Sequence, residues 1–244
     1  MVRPGFALFN TALIFGAAYV GVRAFRRAHP DVAGVRASTL LGAHARAWYF
    51  SNLEPIERWL IRHRVRPISL TYAQVVAALL VAVAYGSGLI YTAGVLLLFT
   101  GTLDIMDGKL ARSTNGDSQR GAFLDSVVDR YAEFFCYVGL MIFFSSGWRV
   151  WAVLLAILGG MMVSYTRARA EGLGVQCDIG LLQRPERFVL LGFGSIFSAL
   201  GVHLWGGHHG LLTFVVVLIA VLSNATAAQR IIHTSRKLSE AKDA

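Results

Sequence analysis

The sequence predicts an all-α integral membrane protein with about six core transmembrane helices, an extra N-terminal helix and an interfacial helix. Three observations carry this expectation. Of the 244 residues 55% are hydrophobic and only 15% charged, and the mean hydropathy is +0.56, so most of the chain gains by leaving water. Apolar runs of roughly 18–25 residues, each long enough to cross about 30 Å of hydrocarbon as a helix, recur throughout with short polar connections. Lys and Arg gather at the ends of these runs and on one side of them, as the positive-inside rule requires.

The first run, residues 5–22, is followed at once by Arg23, Arg26 and Arg27. A cleaved signal peptide carries its charge in front, so this segment reads as an anchor with its N terminus outside, a surface-lying helix being the alternative. Residues 1–39 thus form an anchor and linker. Residues 40–64 interleave Trp48, Tyr49, Phe50, Trp59 and Leu60 with Arg46, Glu57, Arg58 and Arg62. This is an interfacial amphipathic pattern, with Pro55 as a break or a new helix start. Core spans follow at roughly 69–87, 89–112, 119–145, 149–171, 185–204 and 210–233, then a polar tail over 236–244. Placing residues 23–68, 109–120, 167–187 and the C terminus on one side puts every Lys and Arg except Arg3 and Arg149 at or near it. That side is the cytosol of a multi-pass cell-membrane protein surrounded by lipid.

The net charge of +9 does not indicate nucleic acid, because no basic run is interleaved with aromatics. Cys136, in an apolar run, and Cys177, in a polar connection, lack CxxC spacing and argue for neither a disulfide nor zinc.

Against this apolar background Asp104, Asp107, Asp125 and Asp129 fall at the cytosolic ends of the second and third core spans, around a polar turn at Asn115–Ser118. Asp104 and Asp107 are three apart and Asp125 and Asp129 four apart, so each pair shares a helix face. Two antiparallel helices can then aim four carboxylates at one point. Without compensation such a cluster repels itself. Hard divalent cations take oxygen ligands, and two ions about 3.5–4 Å apart, bridged by carboxylates, are a recurring device for displacement at phosphorus. With no His or Cys in the group, Mg2+ or Mn2+ fits better than zinc. The bland alternative pairs these aspartates with Arg112, Arg120 and Arg130 or leaves them in water.

The stretch resembles the signature of the CDP-alcohol phosphatidyltransferases: Asp, two residues, Asp-Gly, two residues, Ala-Arg, eight residues, Gly, three residues, Asp, three residues, Asp. Asp104, Asp107, Gly108, Ala111, Arg112, Gly121, Asp125 and Asp129 fill every fixed position. The resemblance implies a membrane domain over residues 40–235 and transfer of a substituted phosphate from CDP-diacylglycerol to an alcohol, with release of CMP. It implies that Asp104, Asp107 and Asp125 hold the metals, and that Asp129 is both a shared ligand and the catalytic base. Gly108, Arg112 and Ser118 would then contact the CDP portion, and so would Thr71 of "RPISLT". That element departs from the family at Ile68, where an Asn is usual and Ile cannot supply its hydrogen bonds.

The acceptor is addressed by residues 164–192, where "YTRARAEG" and "RPER" resemble the bacterial phosphatidylinositol phosphate synthase branch. That branch implies inositol 1-phosphate as acceptor, its phosphate held first by Arg187, second by Arg184 and only weakly by Arg167, whose position is usually small or Lys. It also implies a homodimer. Glycerol 3-phosphate or another polar alcohol in the same reaction, and a non-catalytic scaffold that binds cations, are the competing readings.

Overall fold

The computed structural model describes residues 43–114 and 118–243. The apolar run 5–22 with its arginine cluster, the whole of 1–39, and residues 115–117 of the polar turn lie outside the described residues. Seven helices are described: α1 (Ala43–Arg62), α2 (Pro67–Gly86), α3 (Ile90–Ser113), α4 (Gln119–Phe144), α5 (Trp148–Glu171), α6 (Arg184–Trp205) and α7 (Gly210–Asp243).

The helix ends follow local chemistry. Pro67 opens α2 and Pro185 lies in the first turn of α6, where a missing N–H costs nothing. The Gln183 and Glu186 side chains close a reciprocal cap on α6, and the Ser118 hydroxyl caps α4 by accepting from Gly121 N at 3.0 Å. One boundary differs from the sequence expectation. Pro55 does not break α1, which runs through it, because a proline removes one backbone donor without forbidding the turns on either side. The polar tail is helical where it is described: α7 continues to Asp243, and Lys237 and Glu240, three apart, lie 3.5 Å from each other along it.

Five of these helices, α2, α3, α5, α6 and α7, are long and apolar enough to cross a membrane. α4 has the length, 26 residues, but carries Arg120, Asp125, Asp129, Arg130 and Glu133 between its start and its middle turns. The protein is a multi-pass membrane protein. Its outward faces are correspondingly apolar: Tyr72, Val76, Leu80 and Val83 of α2 are all more than half exposed, while Gln74, Ala78 and Val81 are shut away. This inverts the soluble-protein pattern and suits lipid as solvent.

By contacts the chain divides into Met1–Pro55 and Ile56–Ala244. Within the second unit the helices pack chiefly as α2–α3, α3–α6, α6–α7, α7–α5, α5–α4 and α4–α2, so six helices close a ring and each core helix has two main packing partners. Small residues let them approach. A Cβ on Gly139 of α4 would lie 2.5 Å from the Ala82 carbonyl oxygen of α2, and one on Gly94 of α3 would lie 2.7 Å from the Gly192 carbonyl oxygen of α6. The last turns of α1 belong to this unit too: Leu60 is buried, Ile56 and Trp59 are exposed, and Glu57 reaches Lys109 Nζ of α3 at 2.9 Å.

Candidate active site

The ring brings the ends of α2, α3, α4 and α6 to one place. Asp104 and Asp107 come from α3, Asp125 and Asp129 from α4. Oxygens of Asp104, Asp107 and Asp125 all lie within 4.8 Å of one another. Asp107 is 3% exposed and Asp129 9%, so neither carboxylate is hydrated as a surface group would be.

Uncharged donors reach the cluster from α2. Thr71 Oγ1 donates to Asp107 Oδ2 at 3.0 Å. Gln74 Nε2 donates to Asp129 Oδ1 at 3.1 Å and to Asp104 Oδ1 at 3.4 Å. The cationic partner comes from α6: Arg184 Nη1 lies 2.7 Å from both Asp104 Oδ1 and Asp129 Oδ1. Its guanidinium rests over the Phe188 ring, 4.9 Å from the centroid. Arg130 Nη1 donates to the Ser126 carbonyl and stands only 3.8 Å from Asp129 Oδ2. The bland alternative pairs the aspartates with Arg112, Arg120 or Arg130, and of these Arg130 stands 3.8 Å from Asp129. The close cation is Arg184, brought from 55 residues downstream of Asp129.

After these contacts the cluster is still short of partners. Asp107 Oδ1 and Asp125 Oδ1 are buried and hydrogen-bonded to nothing among the described residues. Two orphaned buried carboxylate oxygens within an all-oxygen donor set fit a hard divalent cation. Asp104, Asp107 and Asp125 are the residues that would hold it.

The two arginines of "RPER" part company. Arg187, 1% exposed, turns to α4 and donates through Nε to Glu133 Oε1 at 2.6 Å and through Nη2 to Glu133 Oε2 at 2.8 Å, a bidentate pair. Gly160 of α5 leaves room for it, since a Cβ there would meet Glu133 Oε1 at 3.0 Å. One donor remains unpartnered on each arginine, Nε of Arg184 and Nη1 of Arg187. The sequence expectation ranked Arg187 ahead of Arg184, and it is Arg184 that faces the carboxylates. Arg167 pairs with Glu171 at 2.8 Å and Asp178 at 3.0 Å.

Of the residues expected at the nucleotide, Gly108 follows Asp107 within α3, Arg112 is exposed at the end of that helix, and Ser118 caps α4. Thr71 is buried against Asp107. Sequence reasoning missed Gln74, Glu133 and Arg230. Arg230 of α7 is 2% exposed and donates to the Ile179 carbonyl at 2.8 Å and the Val163 carbonyl at 2.6 Å. The only available signal was a polar residue interrupting an apolar helix, which in a membrane calls for a partner.

Comparison with known proteins extends the argument beyond geometry. The model of the CDP-alcohol phosphatidyltransferase family matches residues 64–235. The chain is 32% identical, over 74% of its length and 93% of the relative's, to an archaetidylinositol phosphate synthase of Methanothermobacter thermautotrophicus. It is 33% identical, over 83% of its length and 85% of the relative's, to a phosphatidylinositol phosphate synthase of Streptomyces avermitilis. The crystal structure of Mycobacterium tuberculosis phosphatidylinositol phosphate synthase with CDP-DAG bound is similar at a TM-score of 0.65 and 27% identity, covering 74% of this chain and 92% of that one. The same enzyme in complex with manganese and citrate is similar at a TM-score of 0.65 and 28% identity, covering 74% and 87%. The eight-position signature is therefore no chance spacing, and the chain belongs to the CDP-alcohol phosphatidyltransferase family.

Proposed function

We propose that the protein transfers the phosphatidyl group of CDP-diacylglycerol to inositol 1-phosphate, giving phosphatidylinositol phosphate and CMP. The observation that carries this reading is the three-carboxylate group within 4.8 Å, with two buried oxygens unpartnered and the Arg184 guanidinium beside it. That arrangement suits a cation-bridged pyrophosphate and, next to it, an acceptor bearing a phosphate. The relatives support the acceptor: the archaeal and bacterial synthases differ in the lipid their names specify and share inositol phosphate.

In the reaction an acceptor hydroxyl oxygen bonds to the lipid-side phosphorus, the bond from that phosphorus to the CMP oxygen breaks, and the hydroxyl proton leaves. Asp129 is the residue to take it. Its Oδ1 is held by Gln74 and Arg184, which leaves Oδ2, only 3.8 Å from Arg130, for the proton. Two ions, Mg2+ or Mn2+, would supply charge neutralisation at the pyrophosphate and at the CMP leaving group. Asp104, Asp107 and Asp125 would hold them, with Asp129 as a shared ligand. Gly108, Arg112, Ser118 and Thr71 line the CDP side. The acceptor phosphate goes to Arg184, whose Nε has a hydrogen to spare, with Arg187 behind it as buried positive charge. The site faces the cytosol of the cell membrane, because Arg62, Arg64, Arg66, Lys109 and Arg112 cluster on that side, and the functional unit is a homodimer.

Purified protein given CDP-diacylglycerol with inositol 1-phosphate, glycerol 3-phosphate and serine in competition tests this. Inositol 1-phosphate is expected to yield most of the product. Preference for glycerol 3-phosphate would move the acceptor assignment while keeping the phosphate pocket, and no CMP with any alcohol would reject the reading.

A further inference from the structure

Thr71 and Gln74 stand three apart on α2 and so share one face. Between them they donate to three of the four carboxylates, Asp107, Asp104 and Asp129. Gln74 is the unassigned member. It is 0% exposed, in a helix otherwise apolar from Ala73 to Ala84, and its amide nitrogen bridges the two carboxylates that Arg184 also bridges, at the same oxygens.

Its other end is as informative. Gln74 Oε1 is buried and has no hydrogen-bond partner among the described residues. A glutamine serving the core would satisfy both ends or be replaced by Leu or Met, since a buried orphaned acceptor is costly. The orphan is tolerated because the nitrogen is needed. The amide orientation follows from its neighbours: with the nitrogen toward Asp104 Oδ1 and Asp129 Oδ1 each contact has a donor, whereas the reverse would set three oxygens together.

We infer that Gln74 is a positioning residue for the carboxylate cluster: its amide ties Asp104 of α3 to Asp129 of α4 and turns Asp129 so that Oδ2 is left for substrate and cation. This rests on the reading of the cluster as the divalent-cation and transfer site. A neutral donor is what the position requires. Lys or Arg there would add a second fixed cation beside Arg184 and compete with a metal, and Glu would add a fifth charge to four that already repel. An amide fixes geometry while leaving the charge sum for the ions to balance.

The test uses Gln74→Met in the full-length protein, which keeps length and volume and removes the donor. Mn2+ binding is read by electron paramagnetic resonance without substrate, alongside kcat, the KM for CDP-diacylglycerol and the unfolding temperature. Loss of a hydrogen bond to a charged group predicts Mn2+ affinity and kcat each lowered about tenfold or more. The KM is expected to change less than about twofold, because the amide touches no substrate. Wild-type Mn2+ affinity in the variant overturns the inference, whether or not the unfolding temperature falls; a fall alone would mark a core amide. If Gln74→Met fails to fold, Gln74→Asn, which keeps the amide but withdraws it by one methylene, carries the same expectation and the same refutation. Wild-type protein that binds no Mn2+ would instead strike at the reading of the site.

Discussion

Two layers of charge lie one above the other inside the helix ring, and they are finished to different degrees. Deeper along α4, Glu133 and Arg187 close on each other through two hydrogen bonds of 2.6 and 2.8 Å. One turn nearer the start of α4, four aspartates meet Arg184 at 2.7 Å and Arg130 at 3.8 Å, and two of their oxygens remain buried and unpartnered among the described residues. The lower layer pairs its two charges, with one Arg187 donor, Nη1, left over. The upper layer sets four carboxylates against two guanidinium groups, an imbalance that added cations would offset. Burial of charge is common to both; what separates scaffold from site is whether the charges cancel.

The comparison breaks most visibly if the upper layer proves structural. Asp129→Asn keeps the shape and one oxygen ligand but removes the proton acceptor, so kcat is expected to fall about 10²–10⁴-fold at every metal concentration. Its unfolding temperature should stay at or above wild type, since a repelling charge is gone. Asp107→Asn should in part recover with excess metal, and an active Asp129→Asn enzyme would remove the base assignment.

The same substitution made three residues apart sharpens the contrast. Arg187→Ala leaves Glu133 charged and alone in the bundle, a loss of about 3–5 kcal/mol read by thermal unfolding in detergent. Replacing both partners by Leu should recover most of it. Arg184→Ala removes the donor between Asp104 and Asp129, so the acceptor KM should rise roughly ten- to a hundredfold, and any fall in unfolding temperature should be reversed by added Mn2+. Equal behaviour of the two variants would dissolve the distinction between layers. Smaller effects come from the supports. Gly160→Ala puts a Cβ 3.0 Å from Glu133 Oε1, where a bidentate carboxylate cannot give way, and should cost about 1–3 kcal/mol of stability. Glu57→Gln loosens the tie from α1 to Lys109 and Ser113 and should cost under about 1 kcal/mol. Burial raises the Glu57 carboxyl, but the Ser113 hydroxyl and Lys109 ammonium outweigh it and hold the group below its usual range. That tie is therefore intact at neutral pH and is lost only as pH falls through the depressed value.

The two layers were unequally legible in the sequence. The aspartates announced themselves because helical spacing sets each pair on one face, and hydropathy fixed the helices that carry them to within a few residues. Gln74 and Glu133 did not: each is one polar residue in an apolar run, and their partners lie 55 and 54 residues away. No local pattern records which face of one helix meets which face of another. Arg184 and Arg187 show the same limit, since spacing of three put both on one side of α6 while the angle between them was enough to send one to the aspartates and the other to Glu133. Pro55 misled for a local reason, because an interior proline weakens a helix without ending it.

The central claim is that the unfinished layer performs a cation-dependent transfer from a CDP-lipid. The direct measurement is CMP released by purified protein from CDP-diacylglycerol and inositol 1-phosphate, first in excess chelator and then with Mg2+ or Mn2+ restored. The expected result is no release in chelator, full recovery on adding either ion, and release slowed about 10²–10⁴-fold in Asp129→Asn at every ion concentration. Full CMP release in excess chelator would contradict it.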